Sequence, residues 1–470
     1  MGGRQILKNI SYSFFANLVS LLVSVCMVMF VPKFLSVDDY GLWQLFMFYY
    51  SYLGFLAFGW EDGVYLRYAG RDFAALPRKL MASQFYGDFL LQVMLAILTL
   101  AVAFVFVSDD NIRLALSCAI LLSPLAHLHG LGALIMQATN RIKDYAKLLL
   151  TERLSLLLIV VIAIYLGRTD FRDMYAAKIC SILAAAAFSV WTCRSLLRPL
   201  FPSRGEMLAE VAENIRVGIK LMFANIASVL MIGIVRYGIS LGWDVATFGR
   251  VSLTLGISNF LMVFISAVSV VFFPIVKRMG GEQRAELYTK MRAALTFLLL
   301  GGLLCYYPFK YILSWWLPQY AESLIYMSVL FPVCLFESKV NLLTNTYLKS
   351  MRKEGLMLKL NIVTVVLSVL VTFFTVGVLH DLDAAVLAIP VLYACRCILA
   401  EMAVEWLIGL DLKRGIAWDV FMASIFMLAG WYMDSWLCIG LYGLAYCAYL
   451  LAHRQQIVQV AGLLRGRHER

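Results

Sequence analysis

Polar and apolar positions in this chain alternate on a scale much longer than a helix face or a strand. Runs of about 20 apolar residues, each long enough to cross about 30 Å of hydrocarbon as a helix, are separated by short polar turns. Six windows cover residues 10–32, 41–60, 81–107, 114–138, 146–166 and 174–193; six more cover 217–240, 249–273, 293–313, 322–346, 358–379 and 385–408. A last pair covers 417–433 and 436–452. The pattern predicts an all-α polytopic membrane protein with 14 transmembrane helices.

The windows repeat. FANLVS at residues 15–20 returns as FANIAS at 223–228, a spacing of 208 positions. At the same spacing Lys8 meets Arg216, Tyr40-Gly41 meets Phe248-Gly249, Pro124 meets Pro332 and Arg141 meets Lys349. Several features at one offset point to duplication of a six-helix unit. Six is even, so both copies start on the same side of the membrane. The copies are expected to be parallel lobes related by a pseudo-two-fold axis along the membrane normal, with a ligand site at their interface. The expected organisation is an N-lobe at 1–196, a cytoplasmic linker at 197–214, a C-lobe at 215–410, and helices 13 and 14 with a basic cytoplasmic tail at 411–470.

Charge sets the orientation. Of 40 Lys and Arg, only Lys33, Arg113, Arg168, Arg172 and Lys310 fall on the outer side when the N-terminus is placed inside. Six are assigned to spans, and the rest, in turns such as LPRK, TNRIKDYAK and KSMRKEG, lie on the cytoplasmic side. Both termini are therefore expected in the cytoplasm. The net charge of +11 matches an anionic inner leaflet and gives no reason to expect nucleic acid. With 15% charged residues and no GK[ST] triplet, the chain leaves no room for a phosphate-cradling nucleotide domain. The ten cysteines lack metal-ligand spacing and read as small core hydrophobes. The first apolar run is too long for a signal-peptide core, and Ile6 stands where a myristoylation motif needs Ser or Thr.

The cations assigned to spans are Arg153, Lys178, Arg236, Arg250, Lys339 and Arg396. Each would cost about 2.5–3.5 kcal/mol facing lipid at mid-helix. Lys178 and Arg250 are near enough to span ends to snorkel; a structural ion pair is the other option for them and for Arg153, which has Glu152 beside it on a different face. Arg396 sits near mid-bilayer, Lys339 follows Pro332, and Arg236 lies in the outer half of helix 7. Two arrangements suit these three: structural pairs with Glu337, Asp88 or Glu401, or a water-filled cavity that holds an anion. Pyrophosphate is the anion for which arginine forks are best shaped. Acids in or beside the spans include Glu61, Asp62, Asp88 and Glu337, which are candidates for exchanging H+ or Na+.

Three signals take plain readings. The two histidines of HLHG at 127–130 are two positions apart and point to different helix faces, so no metal site is expected. Asp38 and Asp39 precede helix 2 as capping acids. Pro124 and Pro332 occupy equivalent places in the two halves and are candidate hinges.

The segments ILKNISYSFFANLVSLL, KFLSVDDYGLWQ, LRYAGRD, IKLMFANIASVL and SLGWDVATFGR resemble those of the polysaccharide-biosynthesis, or O-antigen, flippases of the multidrug, oligosaccharidyl-lipid and polysaccharide exporter superfamily. The resemblance covers essentially the whole chain. It implies two lobes alternating between inward and outward openings around a cavity lined by helices 1, 2, 7 and 8. Arg236 and Arg250 fall on that lining; Lys339, Arg396 and Arg153 are further candidates for contact with a polyprenyl-pyrophosphate-linked oligosaccharide. It implies a non-enzymatic transporter of the bacterial inner membrane, working as a monomer without a cofactor beyond coupling to H+ or Na+. Membrane lipids surround it, and polysaccharide polymerase and glycosyltransferases are its expected partners. A multidrug exporter shares the fold and is the alternative. A polymerase or ligase would need larger outer loops.

Overall fold

The computed structural model describes residues 3–197, 202–258, 281–433 and 437–458, all helix and connecting turns. Part of the linker 197–214, the second half of window 249–273, the first half of the basic turn KRMGGEQR and the end of the basic tail lie outside these residues. Among the described residues nine helices are long and apolar enough to cross a membrane, or up to 11 if each of two bent pairs is one span. The remaining three sequence windows correspond to the broken segment 37–68 and to two shorter apolar helices, Val245–Ser258 and Leu437–Ala452. The chain divides into two compact units, residues 1–226 and 227–470.

The first unit contains α1 (Gly3–Phe34), α2 (Val37–Ser51), α3 (Trp60–Tyr68), α4 (Arg78–Phe106), α5 (Asp110–Ala138), α6 (Ile142–Tyr165), α7 (Phe171–Cys193) and the first part of α8 (Arg204–Gly242). The centre is α5, packed against α2, α3, α4, α6 and α7. Its small residues Ala115, Ala119 and Gly132 let these neighbours come close. In contrast, α4 turns Leu90, Met94, Ile97 and Leu98 outward at 60–65% exposure. A face so apolar is at home only against hydrocarbon.

Window 41–60, which reads as one helix, is broken. Its backbone turns left-handed at Phe58 (φ 51°) and Gly59 (φ 78°) before α3 begins. Gly59 and Gly63 of α3 lie directly against Gly218 and Asn214 of α8, where any added Cβ would strike backbone atoms. Backbone contact of this closeness needs glycine on both helices, and the break aims α3 at α8.

The second unit contains the rest of α8, α9 (Val245–Ser258), α10 (Gly281–Leu303), α11 (Tyr306–Trp316), α12 (Tyr326–Leu330), α13 (Val333–Ser338), α14 (Asn345–Ser350), α15 (Glu354–Thr372), α16 (Leu382–Ile408), α17 (Lys413–Tyr432) and α18 (Leu437–Ala452). Here α16 is central, against α12, α13, α15 and α17. The two candidate hinges differ. Pro332 falls in a 43° bend between Pro318–Leu330 and Val333–Ser350, and a π-helical turn, Lys339–Thr344, follows. Pro124 sits inside an uninterrupted α5.

The 208-residue spacing extends from letters to element ends: α1 ends at Phe34 and α8 at Gly242, and α2 begins at Val37 and α9 at Val245. The residue just before each new helix caps it. Ser36 Oγ accepts from the Asp39 amide at 3.0 Å, and Asp244 Oδ1 accepts from the Thr247 amide at 2.8 Å. Residue types differ while the bonds recur, because either side chain satisfies an orphan amide of the first turn. Hydrogen bonds from the Thr247 hydroxyl and amide hold the Asp244 carboxyl below the usual carboxylate range. Stability from this cap is therefore complete at neutral pH and is lost as pH falls through the depressed value. Asp244→Ala is expected to cost about 1 kcal/mol at pH 7, and thermal melting in detergent should show the gap from wild type closing below about pH 4.

Candidate functional site

Each unit carries its own buried polar groups. In the first unit, α3 presents Glu61 in its first turn, and His127 of α5 meets it, Nδ1 to Oε1 at 2.5 Å. The other ring nitrogen of His127 lies 3.1 Å from the Leu53 carbonyl. Asp88 of α4 completes the group: ligand atoms of Glu61, Asp88 and His127 all lie within 4.8 Å of one another. Asp88 is 1% exposed, and neither carboxylate oxygen has a hydrogen-bond partner among the described residues. Asp62 is half-buried and makes no ion pair among these residues.

A second group joins α6 and α7. Lys178 Nζ donates to Glu152 Oε1 at 2.8 Å and lies 4.5 Å from the centre of the Tyr50 ring. At 1% exposure Lys178 does not snorkel; the ion pair is the arrangement found. His129 Nε2 comes within 3.6 Å of the same Glu152, so the two histidines of HLHG do face different clusters. Comparing those histidines only with each other missed that His127 joins two carboxylates from other helices. Arg153 is half-buried, and its Nε has no partner among the described residues.

In the second unit, two of the sequence-selected cations are neutralised by carboxylates. Arg396 Nη1 donates to Glu337 Oε2 at 3.1 Å and its Nε to Asn361 Oδ1 at 3.2 Å, while Asn341 holds the other Glu337 oxygen at 2.9 Å. Lys339, fully buried, pairs with Asp419. Of the two arrangements open for these cations, the structure shows the ion pair for both: Arg396 takes Glu337, one of the expected partners, and Lys339 takes Asp419 in place of Glu337, Asp88 or Glu401. Arg292 shares Asp419 at 2.5 Å and binds Glu401 through both carboxylate oxygens at 2.8 and 2.9 Å. Two cations and two carboxylates thus form a closed set that ties α10, the π turn, α16 and α17 together.

Neither Arg292 nor Asp419 was singled out by the sequence pattern. Arg292 lies one residue before window 293–313 and Asp419 near the start of window 417–433, where a charge reads as interfacial. The signal available was Gly415, four residues before Asp419, whose missing Cβ leaves room for the Arg292 guanidinium.

Arg236 and Arg250 differ from these. Arg236 Nη2 donates to Ser252 Oγ at 3.0 Å, and its guanidinium lies 5.2 Å from the Phe248 ring centre. Arg250, on the same helix as Phe248 and Ser252, is half-buried and makes no ion pair among the described residues. The α8–α9 region therefore presents two guanidiniums beside a hydroxyl and an aromatic face.

Removing one member of a closed charge set leaves its partner buried and uncompensated, at about 3–5 kcal/mol. Asp419→Ala should lower stability by that amount. Lys339→Met added to it restores neutrality around Arg292 and Glu401 and should recover a large part of the loss. Melting curves of both variants in one detergent check this; a double variant no more stable than Asp419→Ala would refute it.

No protein-family model and no curated protein matches the sequence. Solved structures do match. Lipid II flippase MurJ in an inward closed conformation aligns over 96% of this chain and 100% of its own, with TM-score 0.64 and 9% identity. An inward-facing MATE family multidrug resistance transporter of the MOP superfamily covers 87% of this chain and 98% of its own, at TM-score 0.59 and 14% identity. The MATE transporter ClbM in complex with Rb+ covers 88% and 96%, at 0.51 and 14%. All three are transporters. At these identities the likeness is one of fold: the chain is a multi-pass membrane protein with the helical fold of MOP-type transporters.

Proposed function

We propose that the chain is a flippase that carries a polyprenyl-pyrophosphate-linked oligosaccharide, the repeat unit of O-antigen or another surface polysaccharide, from the inner to the outer leaflet of a bacterial cytoplasmic membrane by alternating access. The observation that carries this reading is the pair Arg236 and Arg250 on α8 and α9: Arg236 donates to the Ser252 hydroxyl and lies against the Phe248 ring, and Arg250 makes no ion pair among the described residues. A guanidinium presents a planar fork that fits two phosphate oxygens at once. The fold shared with a lipid II flippase supports the choice of a lipid-linked substrate.

In this reading both termini are cytoplasmic, two six-helix lobes rock about bends such as that at Pro332, and helices 13 and 14 are an added pair. Arg153 is a further candidate for the head group. Arg396 and Lys339 serve the lobe's structure. The protein works as a monomer beside the glycosyltransferases and polymerase that make and use the unit.

A cation-coupled drug exporter of the same fold is the second reading, favoured by Asp88, whose buried carboxylate suits a cation better than a phosphate. Reconstituted vesicles separate the two. With a polyprenyl-pyrophosphate-linked oligosaccharide, Arg236→Ala and Arg250→Ala are each expected to weaken transport about tenfold or more, since hydrogen bonds to charged groups are worth about 1.5–3 kcal/mol. Arg→Lys, which keeps charge and loses the fork, should fall between. Unchanged lipid transport in both Ala variants, or efflux of a cationic dye with no lipid transport by wild type, would reject the flippase.

A further inference from the structure

The Glu61–His127–Asp88 group can be read proton by proton. A backbone carbonyl only accepts, so the 3.1 Å contact with Leu53 requires a proton on His127 Nε2. With Nε2 protonated, a neutral ring leaves Nδ1 as an acceptor. The 2.5 Å contact with Glu61 Oε1 then requires a proton between the two atoms, whether it belongs to the imidazolium or to the carboxyl. In either description the Glu61–His127 pair is neutral and holds one shared proton.

Asp88 stands beside this pair with no partner at hydrogen-bond geometry for either oxygen among the described residues. Nearby Gln92 donates one amide hydrogen to the Leu56 carbonyl at 2.8 Å and accepts from Ser123 at 2.9 Å, and its second amide hydrogen is the one neutral dipole that favours the Asp88 carboxylate. A carboxylate this buried, with both oxygens unpartnered, is strongly disfavoured unless something positive occupies it. A metal ion bound through all three residues would need the Nδ1 position that the shared proton takes. The geometry points to a proton-binding site in which Glu61 and His127 hold a fixed proton and Asp88 takes up and releases a second one.

The surroundings fit exchange. The Glu61 side chain retains 12% exposure, a way out for a proton that Asp88 lacks. Gly130, one turn after His127, leaves the space that Glu61 Oε2 needs; a Cβ there would lie 3.1 Å from it. Towards the middle of the helices around α5 the other ionisable groups include Asp62, next to Glu61; Arg67, bound to Glu210 at 2.7 Å; and Glu152, Lys178, His129 and Arg153 of the second cluster, while Asp38, Asp39, Arg78, Lys79, Asp110, Arg113, Lys143, Asp144, Lys147, Arg172 and Asp173 lie in end turns. Lys178 and Glu152 neutralise each other, and Arg67 is matched by Glu210. Asp88 is thus the buried acid of the first unit whose charge no described partner offsets.

The site is defined without a transported substrate, so its test is independent of the flippase reading. Infrared difference spectra of the purified, full-length protein in detergent, titrated between about pH 5 and 8, read the carbonyl band of a buried protonated carboxyl. Wild type should lose this band as pH rises, and Asp88→Asn should lack it. His127→Gln, which breaks the fixed pair, should move the midpoint by roughly one pH unit or more. Should Asp88→Asn fail to fold, Glu61→Gln must move the midpoint likewise. A band that titrates identically in wild type and Asp88→Asn, or a midpoint untouched by the His127 and Glu61 changes, would overturn the proposal. So would added Co2+ giving ligand-field absorption in wild type that His127→Gln abolishes, since the occupant would then be a metal.

Discussion

A charge buried in this fold has no water to answer it, and the packing of the helices follows from that single constraint. In a low-dielectric interior an isolated ion is costly, and an ion pair breaks even only with close geometry and further hydrogen bonds. The chain meets the requirement by placing opposite charges on different helices: Glu152 with Lys178 across α6 and α7, Glu337 with Arg396 across α13 and α16, and Arg292, Glu401, Lys339 and Asp419 across four elements. Each pair has a meaning only if its helices are in register, so each fixes a helix against its neighbour. Lipid-facing Leu and Met cannot do this, because hydrocarbon is as good a partner for them as another helix.

The last of these sets changes how the C-terminal pair is understood. The helices of the last two windows, 417–433 and 436–452, have no counterpart at the 208-residue spacing of the sequence and look added on. Yet Asp419 of α17 neutralises a cation from α10 and another from the π turn, so the added helix completes the charge balance of the unit it joins. Lys339 and Arg292 without Asp419 would leave Glu401 facing two positive charges. The π turn that carries Lys339 starts seven residues after the Pro332 bend, and its wider backbone spacing lets the ammonium reach Asp419 within a helix already bent.

Long-range features of the fold were legible in the sequence because they depend on the order of apolar and polar stretches along the chain. The windows mark where the helices run, and the 208-residue repeat reaches down to the capping bonds of Ser36 and Asp244. Two kinds of feature were not legible. One is backbone geometry: FLAFGWEDG gives no apolar break at Phe58–Gly59, since an aromatic in a left-handed turn keeps the hydropathy high while it stops the helix. The other is pairing. Charges such as Arg292 and Asp419 lie at window edges, where one dimension of sequence says interface and three dimensions say core. Arg396 and Lys339 show the converse: they lie well inside windows, and while Glu337, the partner of Arg396, was among the expected acids, the Asp419 that Lys339 faces was not.

Charge closure also separates structure from function inside one membrane protein. A set with equal positive and negative charge, such as Arg292–Glu401–Lys339–Asp419, is balanced in charge, even though Asp419 Oδ1 has no hydrogen-bond partner among the described residues, and it serves first to fix its helices against one another. Sites that can do work are those left short of a partner. Asp88 has no hydrogen-bond partner on either oxygen among the described residues, and Arg250 makes no ion pair there; the two lie in different units. A bare carboxylate selects a small cation by its lone pairs, and a bare guanidinium selects a large oxyanion by its fork. In a chain that keeps one of each, the two groups favour oppositely charged species.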